Sequence, residues 1–266
     1  MANTDSQPLT LRRILLVIAT GVGAGFLSGL FGVGGGLVIV PALMGVLGMD
    51  QRRASATSLA AIIVTAAVGS GTYALHGEVS WAGAALLVVG ALAGSQIGVW
   101  LLRRLPAPAL PWILIGFTVF VIVSQYLQVP TREGTVSLTP ASCALMILVG
   151  LCAGILSGLV GVGGGSVIVP GMELAVGAGD LIARGTSLLV MIPTGIAGTV
   201  TNLRHRMVDL RVGLIVGASA AATAPVGRLV ATLVSPSVGA ILFNMFLLTI
   251  IALTIVRIRK KARTQI

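Results

Sequence analysis

The chain has 266 residues, 56% of them hydrophobic and 9% charged, with a mean hydropathy of +1.06 and a formal net charge of +10. A water-soluble domain carries about 25% charged residues, so this composition cannot cover a water-facing surface, and it excludes an ordinary soluble enzyme. The basic residues sit in short clusters without interleaved aromatics, which excludes a nucleic-acid-binding patch.

In chain order, a polar start, "MANTDSQPLT", reads as a disordered cytoplasmic tail over 1–11. The apolar span that follows, 12–31, begins at Arg12-Arg13 and is too long for the core of a cleavable signal. It runs into "GLFGVGGGLVIVP" at 29–41, where four of the five positions from 32 to 36 are glycine. A shorter apolar piece, 37–49, leads to Arg52-Arg53. Spans at 54–75, 80–102 and 110–129 follow, with "LHGEVS" and Arg103-Arg104 between them. The polar hinge "VPTREGTVSLTP", rich in turn formers, precedes a second series: 139–160, a short piece at 166–178, then 183–203, 210–233 and 237–257. Each long span suits a hydrocarbon core about 30 Å thick.

The second series repeats the first. Residues 158–170 read "GLVGVGGGSVIVP" and differ from 29–41 at only two positions. Laying 25–79 over 154–208 without a gap matches 25 of 55 positions, among them Thr57-Ser58 with Thr186-Ser187 and His76 with His205. The chain therefore divides into a first transmembrane repeat, 12–130, and a second, 131–266, which ends in a basic cytoplasmic tail. If each short piece returns toward the side it came from, the basic clusters at 52–53, 103–104, 204–211 and 257–263 all fall on the side of Arg12, as the positive-inside rule requires. Five segments per half is an odd number, so the halves are inverted relative to each other, as in many secondary transporters. The expected fold is all-α and polytopic, with two homologous inverted repeats, eight full transmembrane helices and two short broken or re-entrant segments. Both termini would be cytoplasmic. Tyr73, Trp81 and Tyr126 are expected near outer interfaces, and Trp100 and Trp112 near inner ones.

A glycine run inside a membrane segment breaks the helix, and the freed backbone persists only where it is buried in protein or lines a wet cavity. The short helix after each break turns its first N–H groups and positive dipole end toward the glycine loop. Pro41 and Pro170 suit an early helical position, where a missing N–H is harmless. Two breaks converging from inverted halves would offer backbone donors to a small anion. Gly32, Gly34, Gly35 and Gly36, with Gly161, Gly163, Gly164 and Gly165, are the candidate binding positions. The upstream Gly21/Gly25/Gly29 and Gly150/Gly154/Gly158 read instead as helix-packing positions.

"SGLFGVGGGLVIVPAL" and "SGLVGVGGGSVIVPGM", each followed by an "A-x-x-TSL" stretch, resemble the paired signature of the TauE/SafE sulfite exporter family over nearly the whole chain. The resemblance implies export of small sulfur oxyanions, sulfite or organosulfonates. Glu173 departs from the first copy, which has Met44 there.

Other polar residues add candidates. Thr57, Ser58, Thr186 and Ser187 can donate to an oxyanion or bond back to their own helix; Ser28 and Ser157 precede the breaks. Arg228 and Glu173 lie within apolar segments in the outer half, where ionisable residues default to function. They are placed to pair with each other, or for Arg228 to meet substrate while Glu173 takes up a coupling proton; snorkelling of Arg228 is the alternative. Asn244 reads as a functional candidate or an interhelical hydrogen bond, His76 and His205 as solvated loop residues with a gating or pH role as the alternative, and Cys143 and Cys152 as packing residues. The glycine motif lacks the Lys and Ser/Thr of a phosphate loop, so neither nucleotide nor any other cofactor is expected, and no catalytic or metal-ligating set is present. The chain thus reads as a secondary transporter working by alternating access on an ion gradient, not an enzyme. A passive small-anion channel is the competing reading. Its expected partners are the anion and the lipid bilayer, with a homodimer as a candidate assembly and no nucleic acid.

Overall fold

In a computed structural model, residues 11–106, 108–126 and 139–263 are described. The N-terminal tail, most of the hinge and the last three residues lie outside them. Ten α-helices follow one another: α1 (Leu11–Phe31), α2 (Gly36–Val46), α3 (Gln51–Ala74), α4 (Trp81–Arg104), α5 (Ala109–Tyr126), α6 (Pro140–Val160), α7 (Gly165–Val176), α8 (Asp180–Arg204), α9 (Leu210–Leu233) and α10 (Pro236–Arg263). Each follows a segment read from the sequence within a few residues. Seven are long and apolar enough to cross a membrane. α2 and α7 are the short pieces, and the apolar stretch described for α5, Ala109–Val123, is also shorter than a span.

The helix starts differ in kind. α3, α4, α6 and α9 begin at side-chain caps, Asp50, Ser80, Thr139 and Asp209, each accepting a backbone N–H of the first turn. α2 and α7 begin at Gly35 and Gly164, both left-handed, with no side-chain cap. Pro41 and Pro170 correct an expectation: they are the sixth residues of these helices, in the second turn. There the ring removes the bond back to the residue four earlier, Leu37 or Ser166.

The two halves interleave. α3 and α8 pack on each other at the centre; α1 lies along α9 of the other half, and α6 along α4. Since α6 is the counterpart of α1 and α9 that of α4, these are one contact made twice. Glycines allow it. A side chain on Gly25 or Gly29 would strike the Ala220 or Ala224 carbonyl of α9, and one on Gly150 or Gly154 the Leu87 or Ala91 carbonyl of α4. The packing role of these glycines follows directly. Large apolar side chains such as Leu15, Val89, Leu148 and Val226 project outward, as a lipid-facing surface requires.

Trp81, Trp100 and Trp112 are exposed, but Tyr73 is not. It is fully buried and donates its hydroxyl to the Gly29 carbonyl at 2.7 Å, an internal bond in place of the interfacial position expected.

Candidate functional site

The two breaks fold alike. Gly32, Gly34 and Gly35 have φ of 69°, 72° and 75°, and Gly161, Gly163 and Gly164 have 75°, 92° and 81°. Left-handed backbone in this sequence of turns demands glycine. The breaks also meet. A Cβ on Gly36 would lie 2.5 Å from the Gly161 carbonyl oxygen, and one on Gly165 would strike the Gly32 carbonyl. The loops therefore touch backbone to backbone at the centre of the bundle, with Ile62 and its counterpart Met191 packed against both Gly34 and Gly163.

The hydroxyl candidates reach across in matched pairs. Ser58 donates to the Gly161 carbonyl and Ser187 to the Gly32 carbonyl, each at 2.7 Å. Thr57 accepts the Asp209 N–H at 3.0 Å and Thr186 the Ser80 N–H at 2.9 Å. In this conformation Ser58 and Ser187 satisfy break carbonyls of the opposite half, while Thr57 and Thr186 brace the caps of α9 and α4. In the first turns of α2 and α7, Val38 and Ile39 donate to the Gly35 carbonyl and Val167 and Ile168 to the Gly164 carbonyl, so the N–H groups turned toward the breaks are those of Gly36 and Leu37 and of Gly165 and Ser166.

Arg228 and Glu173 are not partners. Arg228 forms a two-point ion pair with Glu78, Nη2 to Oε1 at 2.7 Å and Nε to Oε2 at 2.9 Å, and lies over the Tyr73 ring. Fork-to-carboxylate geometry of this kind fixes both side chains, and at 8% exposure Arg228 does not snorkel. Glu173 lines a cavity of about 50 Å³ beside the second break, together with Ser166 and Arg184. Arg184 was not among the sequence candidates, because it sits one turn from the polar "GAGD" loop. It is 7% exposed, pairs with Asp180 at 3.0 Å and donates to the Leu30 carbonyl. Its repeat position was the available signal: the first copy has Ser55 there, which donates to Val160.

The remaining candidates are peripheral or internal. Ser28 and Ser157 are buried with no hydroxyl partner among the described residues, and the Asn244 side-chain oxygen is buried likewise. His76 and His205 are exposed, His205 touching Arg103. Cys143 is half-buried and Cys152 exposed, so Cys152 faces outward rather than into the packing.

Seven membrane-length helices around two buried glycine breaks define a polytopic helical membrane protein, and the comparisons with known proteins make it a membrane transporter. The family model described as "Sulfite exporter TauE/SafE" matches residues 2–124 and 146–266, so the chain belongs to that family. Among its relatives is a "Probable membrane transporter protein" of Xylella fastidiosa (strain Temecula1), 28% identical over 252 residues, 93% of this chain and 95% of the relative. Another of the same description, from Haemophilus influenzae, is 32% identical over 193 residues, 70% of this chain and 72% of the relative. One from Bacillus subtilis, YunE, is 26% identical over 213 residues, covering 71% and 78%. No solved structure matches.

Proposed function

We propose that the chain exports small sulfur-containing anions, sulfite or organosulfonates, by alternating access around the paired breaks, driven by an ion gradient. The observation that carries this reading is the contact between the Gly32–Gly36 and Gly161–Gly165 loops, one from each half, each heading a short uncapped helix. First-turn N–H groups and the helix dipole favour an anion there, and the family's description supports sulfur oxyanions. Ser58, Ser187, Thr57 and Thr186 complete the set on the two central helices, and Glu173 serves coupling; Arg228, the sequence candidate for the substrate cation, is held by Glu78 in this conformation.

The inverted five-plus-five arrangement belongs to the same proposal. Its support is reciprocity: residues 129 apart in sequence make the same bonds to opposite halves, as Ser58 and Ser187 do. Interleaved halves with matched contacts suit a machine with two similar states related by exchange of roles. Admitting an anion between the breaks requires α3 and α8 to shift, since Ile62 and Met191 fill that space and the serines are engaged. We place the protein in the cell (inner) membrane with both termini cytoplasmic.

The test is flux of labelled sulfite and a short organosulfonate from proteoliposomes, with and without a pH gradient. The control carries alanine at Gly34-Gly35 and Gly163-Gly164. Saturable, gradient-driven flux that the alanines abolish supports the exporter. Non-saturating conductance without coupling points to the channel instead, and no flux of either compound removes the sulfur cargo.

A further inference from the structure

The two halves match closely at the breaks, yet the polar side chains of the cavity beside α7 stand where they differ. Its polar side chains are Ser166, Glu173 and Arg184. The corresponding first-half residues are Leu37, Met44 and Ser55. Phe31 also lines it, and Phe31 and Ser166 are the two positions at which the motifs at 29–41 and 158–170 part. Four departures from the repeat, contributed by both halves, thus converge on one cavity.

The chemistry of the wall selects an occupant. Ser166 is 1% exposed, and its hydroxyl has no partner among the described residues. Leucine serves at the matching place in the first half, so the fold does not need a hydroxyl at this position, and a buried hydroxyl without a partner is costly. Ser166 is also the second residue of α7, where the helix presents N–H groups. Arg184 lines the same cavity, and Gly239 of α10 leaves it room: a Cβ there would lie 3.3 Å from Nη2. A hydroxyl, a guanidinium and a helix start are donors, and they suit a ligand made of acceptors. A volume of about 50 Å³ admits roughly three to five water-sized groups, room for a compact oxyanion.

Charge then assigns Glu173. Arg184 is matched by Asp180, and these are the charged groups that act on Glu173 from α8. Among the described side chains, α5 and the membrane-embedded part of α10 carry no charge, and α6 offers only Cys143 and Cys152. An anion bound beside an ionised Glu173 would meet like-charge repulsion, which is stronger in a half-buried site than in bulk water.

We propose that this cavity is an oxyanion subsite in which Arg184 and Ser166 hold a compact oxyanion and Glu173 takes up one accompanying proton. The proposal rests on the anion-transport reading and replaces Arg228 with Arg184 as the cation that meets the cargo.

The test is equilibrium binding of labelled methanesulfonate to the full-length protein in lipid nanodiscs at several pH values. Methanesulfonate stays ionised throughout, so any pH dependence belongs to the protein. The wild type is expected to bind more tightly as pH falls, with one proton taken up per anion. Ser166→Ala is expected to weaken binding about tenfold, and Glu173→Gln to keep binding but lose the pH dependence. Arg184 braces Asp180 and Leu30, so its variants are secondary to these two. Wild-type affinity and pH profile in both variants would overturn the subsite. If flux still falls in the glycine variants, the exporter reading survives that result. A wild type that neither binds nor moves methanesulfonate or sulfite overturns the subsite and the sulfur cargo together.

Discussion

Ser187 of α8 donates its hydroxyl to the Gly32 carbonyl across 2.7 Å, and its counterpart Ser58 gives the same bond to Gly161. Each bond crosses from one half to the break of the other. The carbonyls are buried, so no water replaces a donor that is lost. Ser58→Ala and Ser187→Ala are each expected to cost about 1–3 kcal/mol, read as a fall of several degrees in the thermal midpoint in detergent. Similar falls are expected from the two; a loss in one alone would mean that the bonds are not equivalent.

Helix packing between the halves has its own test. Gly25 faces the Ala220 backbone of α9, whereas a Cβ on Gly23, two residues earlier, meets nothing within 4 Å. Gly25→Ala is expected to destabilise by about 1–3 kcal/mol through forced separation of α1 from α9. Gly23→Ala should be neutral or stabilising, since alanine is the better helix former by up to about 1 kcal/mol. Gly154→Ala should repeat the Gly25 result on the α6–α4 contact. Equal effects at Gly23 and Gly25 would refute the close approach.

Arg228 and Glu78 join α9 to the connection between α3 and α4, and their side chains are 10% and 18% exposed. Removing either partner leaves a largely buried charge, at a cost of about 3–5 kcal/mol. Glu78→Gln combined with Arg228→Met should lose less than the sum of the single changes, because the double change leaves no orphaned charge. Arg228→Lys should also destabilise, since lysine cannot make the two-point contact. A double-mutant cycle on thermal unfolding checks all three, and strict additivity would mean the pair contributes nothing.

Three basic clusters gather at one end of the bundle. Arg52 donates to the Leu105 carbonyl at 2.6 Å, Arg53 pairs with Asp209 at 3.3 Å, and Arg103 touches His205. The orientation proposed above puts that end in the cytoplasm, in line with the positive-inside rule. With Cys143 and Cys152 replaced by alanine, a cysteine at position 53 should react with an impermeant thiol reagent only from inside, and one at 132 only from outside. Labelling of position 132 from the cytoplasm would overturn the ten-segment inverted scheme.

Much of this architecture was legible in the chain. Apolar length and the clusters of arginine mark the spans, because hydrocarbon thickness and loop charge act on local stretches. The helix breaks at the two glycine runs were legible for the same reason, and the structure adds that Gly32 and Gly161 are left-handed, a conformation only glycine adopts cheaply. Arg228 was marked as an ionisable residue within a span, with Glu173, the substrate and snorkelling as the alternatives, and the structure pairs it with Glu78 instead. Glu78 lies 150 residues away in sequence, and no local pattern connects the two. Tyr73 was read as an interfacial aromatic, because composition cannot tell a ring at a membrane surface from one buried against a carbonyl.

By itself, then, the sequence determined a helical membrane protein of two repeated halves, each broken by glycines before a short helix. These are properties of single segments in a low-dielectric solvent, and each segment carries its own signal. Only the tertiary structure decided that the halves interleave, that the two breaks touch, and that Ser166, Glu173 and Arg184 share one cavity. Those facts depend on which helix faces each break, and that is set by close packing of small residues between helices far apart in the chain.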